Sequence, residues 1–137
     1  MTTERLIINA DGASRHNPGP AAIGATIKDG RGRLLASISR RIGRTTNNQA
    51  EYRALIAALE KAIAMGARQV DIRLDSELVV KQMKGRYRVK NAALRPLYLR
   101  VGELLSQLEG FTIASVPREQ NAEADRLANK ALRNTSI

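Results

Sequence analysis

Four acidic residues are placed along the chain where their carboxylates could share a metal ion. Asp11 and Asp75 each follow a short apolar run. Glu51 comes just after the helix-starting residues 45–48, and Asp125 lies one turn into the last apolar-periodic segment. Clustered carboxylates repel one another unless divalent cations neutralise them, and oxygen ligands favour Mg²⁺ or Mn²⁺ over zinc. Two such ions, about 4 Å apart, activate a water molecule and stabilise the leaving oxygen of a phosphodiester. The pattern therefore predicts metal-dependent phosphodiester cleavage.

Each acid also has a purely structural explanation. Asp11 could be only a turn residue, and Asp75 only the N-cap of a helix. Glu51 and Asp125 could be first-turn acids that a helix dipole stabilises. Taken together, these explanations do not account for acids recurring at the edges of buried surface in a strongly basic chain.

The elements that must position these acids follow from the hydrophobic periodicity. The order β-β-β-α-β-α-α-β-α predicts a mixed sheet covered by helices. If the strands before Asp11 and Asp75 are parallel neighbours, their carboxylates meet at one end of the sheet. The tail 134–137 is expected to fray. The predicted strands are 6–10, 22–28, 34–41, 70–74 and 111–116, and the predicted helices are 47–65, 76–84, one from near Pro96 to a stop at Gly110, and 121–132.

Composition limits the class of protein and the kind of partner. The 137 residues, with 43% hydrophobic and 26% charged, predict a single globular domain over residues 1–137. The absence of Cys excludes disulfides, thiol nucleophiles and cysteine zinc sites. A net charge of +10 suggests a polyanion such as nucleic acid, the alternative being an inert basic surface. Only 3% of residues are aromatic, which favours phosphate contacts over base stacking. No signal peptide or membrane span is apparent, so we expect a cytoplasmic protein.

Other mechanisms fit the sequence poorly. The single histidine, His16, lies in a turn-rich loop, where a solvated side chain is expected rather than a member of a catalytic triad. The segment 17–20 lacks the phosphate-loop pattern, although Gly19 would permit close approach of a ligand to the backbone.

Four motifs together resemble type 1 ribonuclease H, over nearly the whole chain. They are Asp-Gly-x-x-x-x-Asn-Pro-Gly-Pro at 11–20, Thr-Asn-Asn-x-x-Glu at 46–51, Asp-Ser at 75–76 and Asn-x-x-x-Asp at 121–125. The resemblance implies the ribonuclease H-like α/β fold, with a five-stranded mixed sheet flanked by helices. It also implies a monomeric, Mg²⁺-dependent endonuclease, without an obligate protein partner, that cleaves the RNA strand of an RNA/DNA hybrid and leaves 5′-phosphate ends.

The resemblance carries site residues onto this chain. The metal-binding catalytic acids fall on Asp11, Glu51, Asp75 and Asp125. Hybrid contacts fall on Asn17, Asn47 and Asn48, and a contact to a DNA-strand phosphate falls on Thr46. Gly12 and Ser76 match positions near the RNA, where a 2′-OH can be recognised as both donor and acceptor.

Two departures from the family pattern affect substrate binding and turnover. Many members have a long basic protrusion with tryptophans, whereas the corresponding region here is short and Trp-free. Its charge could be supplied by Lys84, Arg86, Arg88 and Lys90, unless these form only a solvated basic loop. The histidine that often precedes the last acid is also absent. Arg118 is the nearest cation, as in the short archaeal and bacterial subgroup, the alternative being a plain loop arginine.

Several rival functions remain at this stage. A catalytically silent hybrid-binding module would keep the acids as helix caps. An integrase-like nuclease or strand-transfer domain would act on DNA, but the segments 17–20 and 46–48 resemble hybrid-contacting elements instead. Within the favoured class, double-stranded RNA and RNA–DNA junctions are alternative substrates that the sequence does not rank.

Overall fold

A computed structural model describes residues 5–133 of the chain. Its centre is a five-stranded sheet with the strand order β3-β2-β1-β4-β5. The first three strands are antiparallel, and β4 and β5 run parallel to β1. The strands are β1 (Arg5–Ser14), β2 (Gly19–Asp29), β3 (Leu34–Thr45), β4 (Gln69–Leu74) and β5 (Gly110–Ser115). The helices are α1 (Asn47–Ala64), α2 (Glu77–Met83), α3 (Arg95–Leu105) and α4 (Ala122–Arg133), with a 3₁₀ helix at Arg118–Asn121. The predicted element order and mixed sheet are confirmed.

The first strand is longer than predicted. It continues past Asp11 to Ser14, because its antiparallel ladder with β2 extends to the pair Ser14–Ala21. Asp11 therefore lies inside a strand, opposite Gly24, and the explanation of Asp11 as a turn residue is wrong. The turn-forming residues act only from position 15 onward.

The strands β1 and β4 are parallel neighbours, which is the condition under which Asp11 and Asp75 were expected to meet. Its last partners are Ala10 and Leu74. Asp11 and Asp75 are the next residues on the two strands, so the ladder brings their side chains to the same end of the sheet. Asp75 is not the N-cap of α2, since that position belongs to Ser76, whose hydroxyl accepts a hydrogen bond from the Val79 N–H.

Two further boundaries differ from the predictions. The helix α3 ends at Leu105, and Gly110 begins β5 instead of stopping the helix. The segment predicted as a loop before α4 contains the 3₁₀ helix. The predicted fraying of 134–137 falls outside the described residues.

Helices cover both faces of the sheet. The face covered by α1 holds the main core, to which the helix contributes the fully buried side chains of Tyr52, Leu55 and Leu59. On the other face, α4 packs against β2 at Gly24, where an added Cβ would lie 2.1 Å from the carbonyl oxygen of Ala124. Since directly paired residues of an antiparallel ladder project from the same face of the sheet, this close contact places Asp11, the partner of Gly24, on the α4 side. Within residues 5–133, no helix is long and apolar enough to cross a membrane.

Candidate active site

Four acids converge beside the end of the β1–β4 ladder. Carboxylate oxygens of Asp11, Glu51 and Asp75 lie within 4.8 Å of one another. Asp125 joins them across an open cavity of about 530 Å³ that all four acids line. None of the seven ion pairs among the described residues includes any of the four. The protein therefore gathers four carboxyl groups here without an ion pair to any of them.

Asp11 is the most strongly perturbed of these acids. Its residue is 7% exposed. The pKa of Asp11 is raised from 3.8 to about 8, chiefly by burial and next by the nearby charge of Asp75. A hydrogen bond with the Asp125 side chain and the charges of Asp125 and Glu51 act in the same direction. Without a cation, this carboxyl is therefore largely protonated at neutral pH.

Glu51 is perturbed by the same causes to a smaller extent. Its pKa is raised from 4.5 to about 7, chiefly by burial and next by the charge of Asp75. A hydrogen bond from the Ser76 side chain lowers the pKa and opposes the shift. Ser76 thus contacts the acid cluster as well as capping α2.

The position of Glu51 depends on an unusually close contact between α1 and β1. A Cβ on Gly12 would lie 2.2 Å from the carbonyl carbon of Ala50 and 2.4 Å from the backbone nitrogen of Glu51. Only a residue without a side chain allows the first turns of α1 to lie this near the strand. Gly12, predicted as a substrate contact, therefore also brings Glu51 to the strand that carries Asp11.

The start of α1 is fixed by a capping box. The Thr46 hydroxyl accepts a hydrogen bond from the Gln49 N–H at 3.2 Å. In return, the Gln49 side chain accepts one from the Thr46 N–H at 3.1 Å. Such reciprocal bonds satisfy donors that a helix N-terminus leaves unpaired. Glu51 is thus held in the second turn of a firmly started helix.

The predicted hybrid contacts at the start of α1 are linked to the β1–β2 loop. The Asn47 N–H donates to Asn17 Oδ1, and the Ser14 N–H donates to Asn47 Oδ1, both at 3.0 Å. Asn47 and Ser14 line the acidic cavity. Asn48, the next residue, is half-buried. The structure therefore places Asn47 on the cavity wall and joins it to Asn17, while Thr46 and Asn48 are its neighbours in the chain.

Arg118 and the predicted basic residues between α2 and α3 lie in different places. Arg118 lines the acidic cavity from the 3₁₀ helix. The basic residues of the α2–α3 connection are exposed and do not line that cavity. Arg86, Arg88 and Lys90 border a separate cavity of about 390 Å³ together with Tyr87. Lys81 lies over the Tyr87 ring at 5.1 Å. Lys84 is the C-cap of α2, just before this connection.

Some residues of the site were missed by sequence reasoning as functional candidates. Asn121 is 1% exposed, donates from Nδ2 to the Ala10 carbonyl at 3.0 Å and accepts from Asn9 Nδ2 at 3.0 Å. It fastens the start of α4 to β1 beside Asp11. Asn129 lines the acidic cavity. Its spacing of four residues from Asp125 is the one sequence signal that could have identified it.

The acid cluster has the chemistry of a divalent-cation site. Carboxylate oxygens are the hard ligands that such ions prefer. The raised pKa values of Asp11 and Glu51 reflect burial and mutual repulsion that a bound cation would offset. Asp11, Glu51 and Asp75 are the residues that would hold the ion.

Sequence comparisons relate the chain to nucleases. The family model described as reverse transcriptase-like matches residues 9–131. The chain is 46% identical over 129 residues to a bifunctional protein of Mycobacterium tuberculosis, a match covering 93% of this chain and 35% of the relative. It is 49% identical over 122 residues to ribonuclease HI of Halobacterium salinarum, covering 89% of this chain and 61% of that protein. The chain therefore spans between about a third and three fifths of these relatives.

Solved structures agree over almost the whole chain. The crystal structure of RNase H1 from Halobacterium salinarum superimposes with a TM-score of 0.94 at 46% identity, covering 96% of this chain and 99% of that one. LC11-RNase H1 in complex with an RNA/DNA hybrid gives a TM-score of 0.90 at 42% identity, covering 94% of this chain and 97% of that one. The fold is that of the ribonuclease H class of proteins, and the acid cluster suits a divalent cation. The chain belongs to the type 1 ribonuclease H family.

Proposed function

We propose that the chain is an endoribonuclease that hydrolyses the RNA strand of RNA/DNA hybrids and leaves 5′-phosphate ends. The observation that carries this proposal is the meeting of Asp11, Glu51 and Asp75 oxygens within 4.8 Å, with no cation of the described chain paired to them. Family membership supports the reaction class, and the solved relative that holds an RNA/DNA hybrid supports the substrate.

In this proposal, four acids hold the metal ions. Asp11, Glu51, Asp75 and Asp125 would bind two Mg²⁺ ions, with Mn²⁺ as a substitute. When bound, such ions activate the attacking water and stabilise the leaving oxygen. The chain supplies carboxylates on packed strands and helices, which fixes their geometry before substrate arrives.

Polar residues at the start of α1 and in the β1–β2 loop would hold the hybrid beside the acids. Asn17, Asn47 and Asn48 would contact the two strands, and Thr46 would hold a DNA-strand phosphate at the N-terminus of α1, where helix dipoles favour anions. Gly12 and Ser76 lie next to metal-binding acids, where contact with a ribose 2′-OH would distinguish RNA from DNA. Recognition of this kind leaves base sequence largely unread.

The cations divide into two proposed roles. Arg118, on the cavity wall, would act during turnover in place of the histidine of other family members. Lys84, Arg86, Arg88 and Lys90 would bind the phosphate backbone outside the cavity, because they lie on a connection that does not line it. We also propose a single domain over 1–137 that acts as a cytoplasmic monomer.

Cleavage assays test the proposed function directly. Labelled RNA/DNA hybrid, double-stranded RNA, an RNA–DNA junction and duplex DNA are each incubated with the protein, with and without Mg²⁺. Metal-dependent cuts in the RNA strand of the hybrid are expected, together with loss of cleavage in Asp11→Asn and Asp75→Asn despite retained hybrid binding. Binding without cleavage by the wild-type protein would identify a silent binding module, and preferential cleavage of duplex DNA would reject the proposed substrate.

A further inference from the structure

Asn129 makes a contact that neither metal binding nor the family motifs require. It lies on α4, one turn beyond Asp125, and lines the acidic cavity. Its Nδ2 donates to Asp125 Oδ1 at 3.1 Å and also to the Asp125 carbonyl oxygen at 2.9 Å. One amide group therefore holds both the side chain and the backbone of the same acid.

Asp125 has few other constraints on its side chain. It is half-buried, and no ion pair among residues 5–133 includes it. Asn129 is the one nitrogen donor to its carboxylate within that range. On the other side, Asp125 shares the acidic cavity with Asp11, Glu51 and Asp75. The direction of the Asp125 carboxylate is thus set between Asn129 and the acid cluster.

We infer that Asn129 is a positioning residue, which holds the Asp125 carboxylate toward the other three acids and thereby strengthens metal binding. This inference rests on the proposed function. An aspartate on a helix can choose among several rotamers, and a hydrogen bond to one of its oxygens selects one of them. Small displacements of a catalytic group lower turnover strongly, so the amide is worth more to the reaction than to the fold.

A purely structural role makes a different prediction. Hydrogen-bonded pairs four residues apart on a helix contribute little to its stability. Alanine is a better helix former than asparagine by a similar amount. If Asn129 served only the helix, Asn129→Ala would leave the melting temperature nearly unchanged and would not alter turnover or metal affinity.

The test uses Asn129→Ala, with Asn129→Gln as the conservative variant and Gln107→Ala as a control at an exposed amide outside the site. The alanine variant is expected to lower kcat about tenfold on the hybrid with an unchanged KM. It is also expected to raise about tenfold the Mg²⁺ concentration needed for half of the metal-induced rise in melting temperature. Glutamine keeps the donor and should restore most of both, and Gln107→Ala should match the wild-type protein.

Failure of this inference is distinguishable from failure of the proposed function. If the wild-type protein cleaves the hybrid and Asn129→Ala matches it in kcat and in Mg²⁺ response, Asn129 does not position Asp125. If the wild-type protein does not cleave, the proposed function fails. In that case the Mg²⁺-induced rise in melting temperature still tests the inference about Asn129. An equal rise at equal Mg²⁺ concentrations in the wild type and Asn129→Ala would overturn it.

Discussion

Replacing Asp11 with asparagine should stabilise the metal-free protein at alkaline pH while abolishing metal-dependent cleavage. The carboxyl titrates near 3.8 when unperturbed and near 8 in the folded protein. Between these values, the folded protein binds more protons than the unfolded chain, so its stability falls as pH rises through this range. Asparagine has nearly the same shape and does not ionise, so the variant escapes that loss.

The magnitude follows from the shift in pKa. Moving the pKa of Asp11 from 3.8 to about 8 corresponds to at most about 6 kcal/mol, at about 1.4 kcal/mol per unit. Relaxation of the structure and entry of water reduce the cost of ionising Asp11, and the neighbouring acids bear part of that cost. We therefore expect Asp11→Asn to raise the free energy of unfolding by about 2 kcal/mol at pH 9. At pH 4, where Asp11 is protonated in the fold, the gain should vanish. Mg²⁺ should reverse the order at pH 9, since a ligand stabilises the form that binds it better.

The assay is urea denaturation in a chelator at pH 4 and pH 9, and then at pH 9 with Mg²⁺. Asp29→Asn is the matched control, because Asp29 is also 7% exposed. Asp29 Oδ1 accepts hydrogen bonds from the Arg31 and Arg33 N–H groups, and the bond from Arg33 is the largest cause lowering its pKa. Because the pKa of Asp29 is lower in the folded protein, its ionised carboxylate stabilises the fold at pH values above the pKa of the unfolded chain. Asp29→Asn should therefore be destabilising at pH 9. If Asp11→Asn were less stable than wild type in the chelator at pH 9, a pKa of Asp11 raised by burial and by the neighbouring acids would be refuted.

Three other changes have distinct expected outcomes. Gly12→Ala should lower the free energy of unfolding by about 1–3 kcal/mol and reduce Mg²⁺ affinity, because the added Cβ would lie 2.2 Å from the carbonyl carbon of Ala50. Thermal melting with and without Mg²⁺ measures both effects, and an unchanged melting temperature would contradict the close contact. Arg118→Ala should lower kcat more than it raises KM in steady-state kinetics, and an unchanged kcat would make it a plain surface arginine. The double variant Arg86→Gln, Arg88→Gln should raise KM and make its salt dependence less steep. If KM and its salt dependence did not change, the α2–α3 connection would not bind the substrate.

Much of the fold could be predicted because local signals agree with tertiary contacts. Residues 45–48 predict a helix start, and the structure shows a capping box there with Thr46 as N-cap. The apolar runs before Asp11 and Asp75 predict strands, and these pair in parallel as expected. The length of β1 was mispredicted because Gly12 resembles a turn residue, although it is needed for contact with α1 across the sheet.

The candidate site was accessible from sequence only in part. The four acids could be grouped because separate motifs of the family carry them. The spacing of Asn129 from Asp125 could have indicated a contact between the two, but not that this face of α4 lines the cavity. Asn121 belongs to a motif, but its bonds to Asn9 and to the Ala10 carbonyl join positions more than a hundred residues apart. Pairings of that kind are set by topology, which local periodicity does not encode.

The chain order of the site has a consequence for synthesis. Asp125 leaves the ribosome about 50 residues after Asp75, roughly 3–10 s later at usual elongation rates. Until then, Gly24 lacks the helix that covers it, and three acids stand without the fourth. The acid cluster is therefore complete only once α4 packs against β2 at Gly24 and brings Asp125 to the cavity.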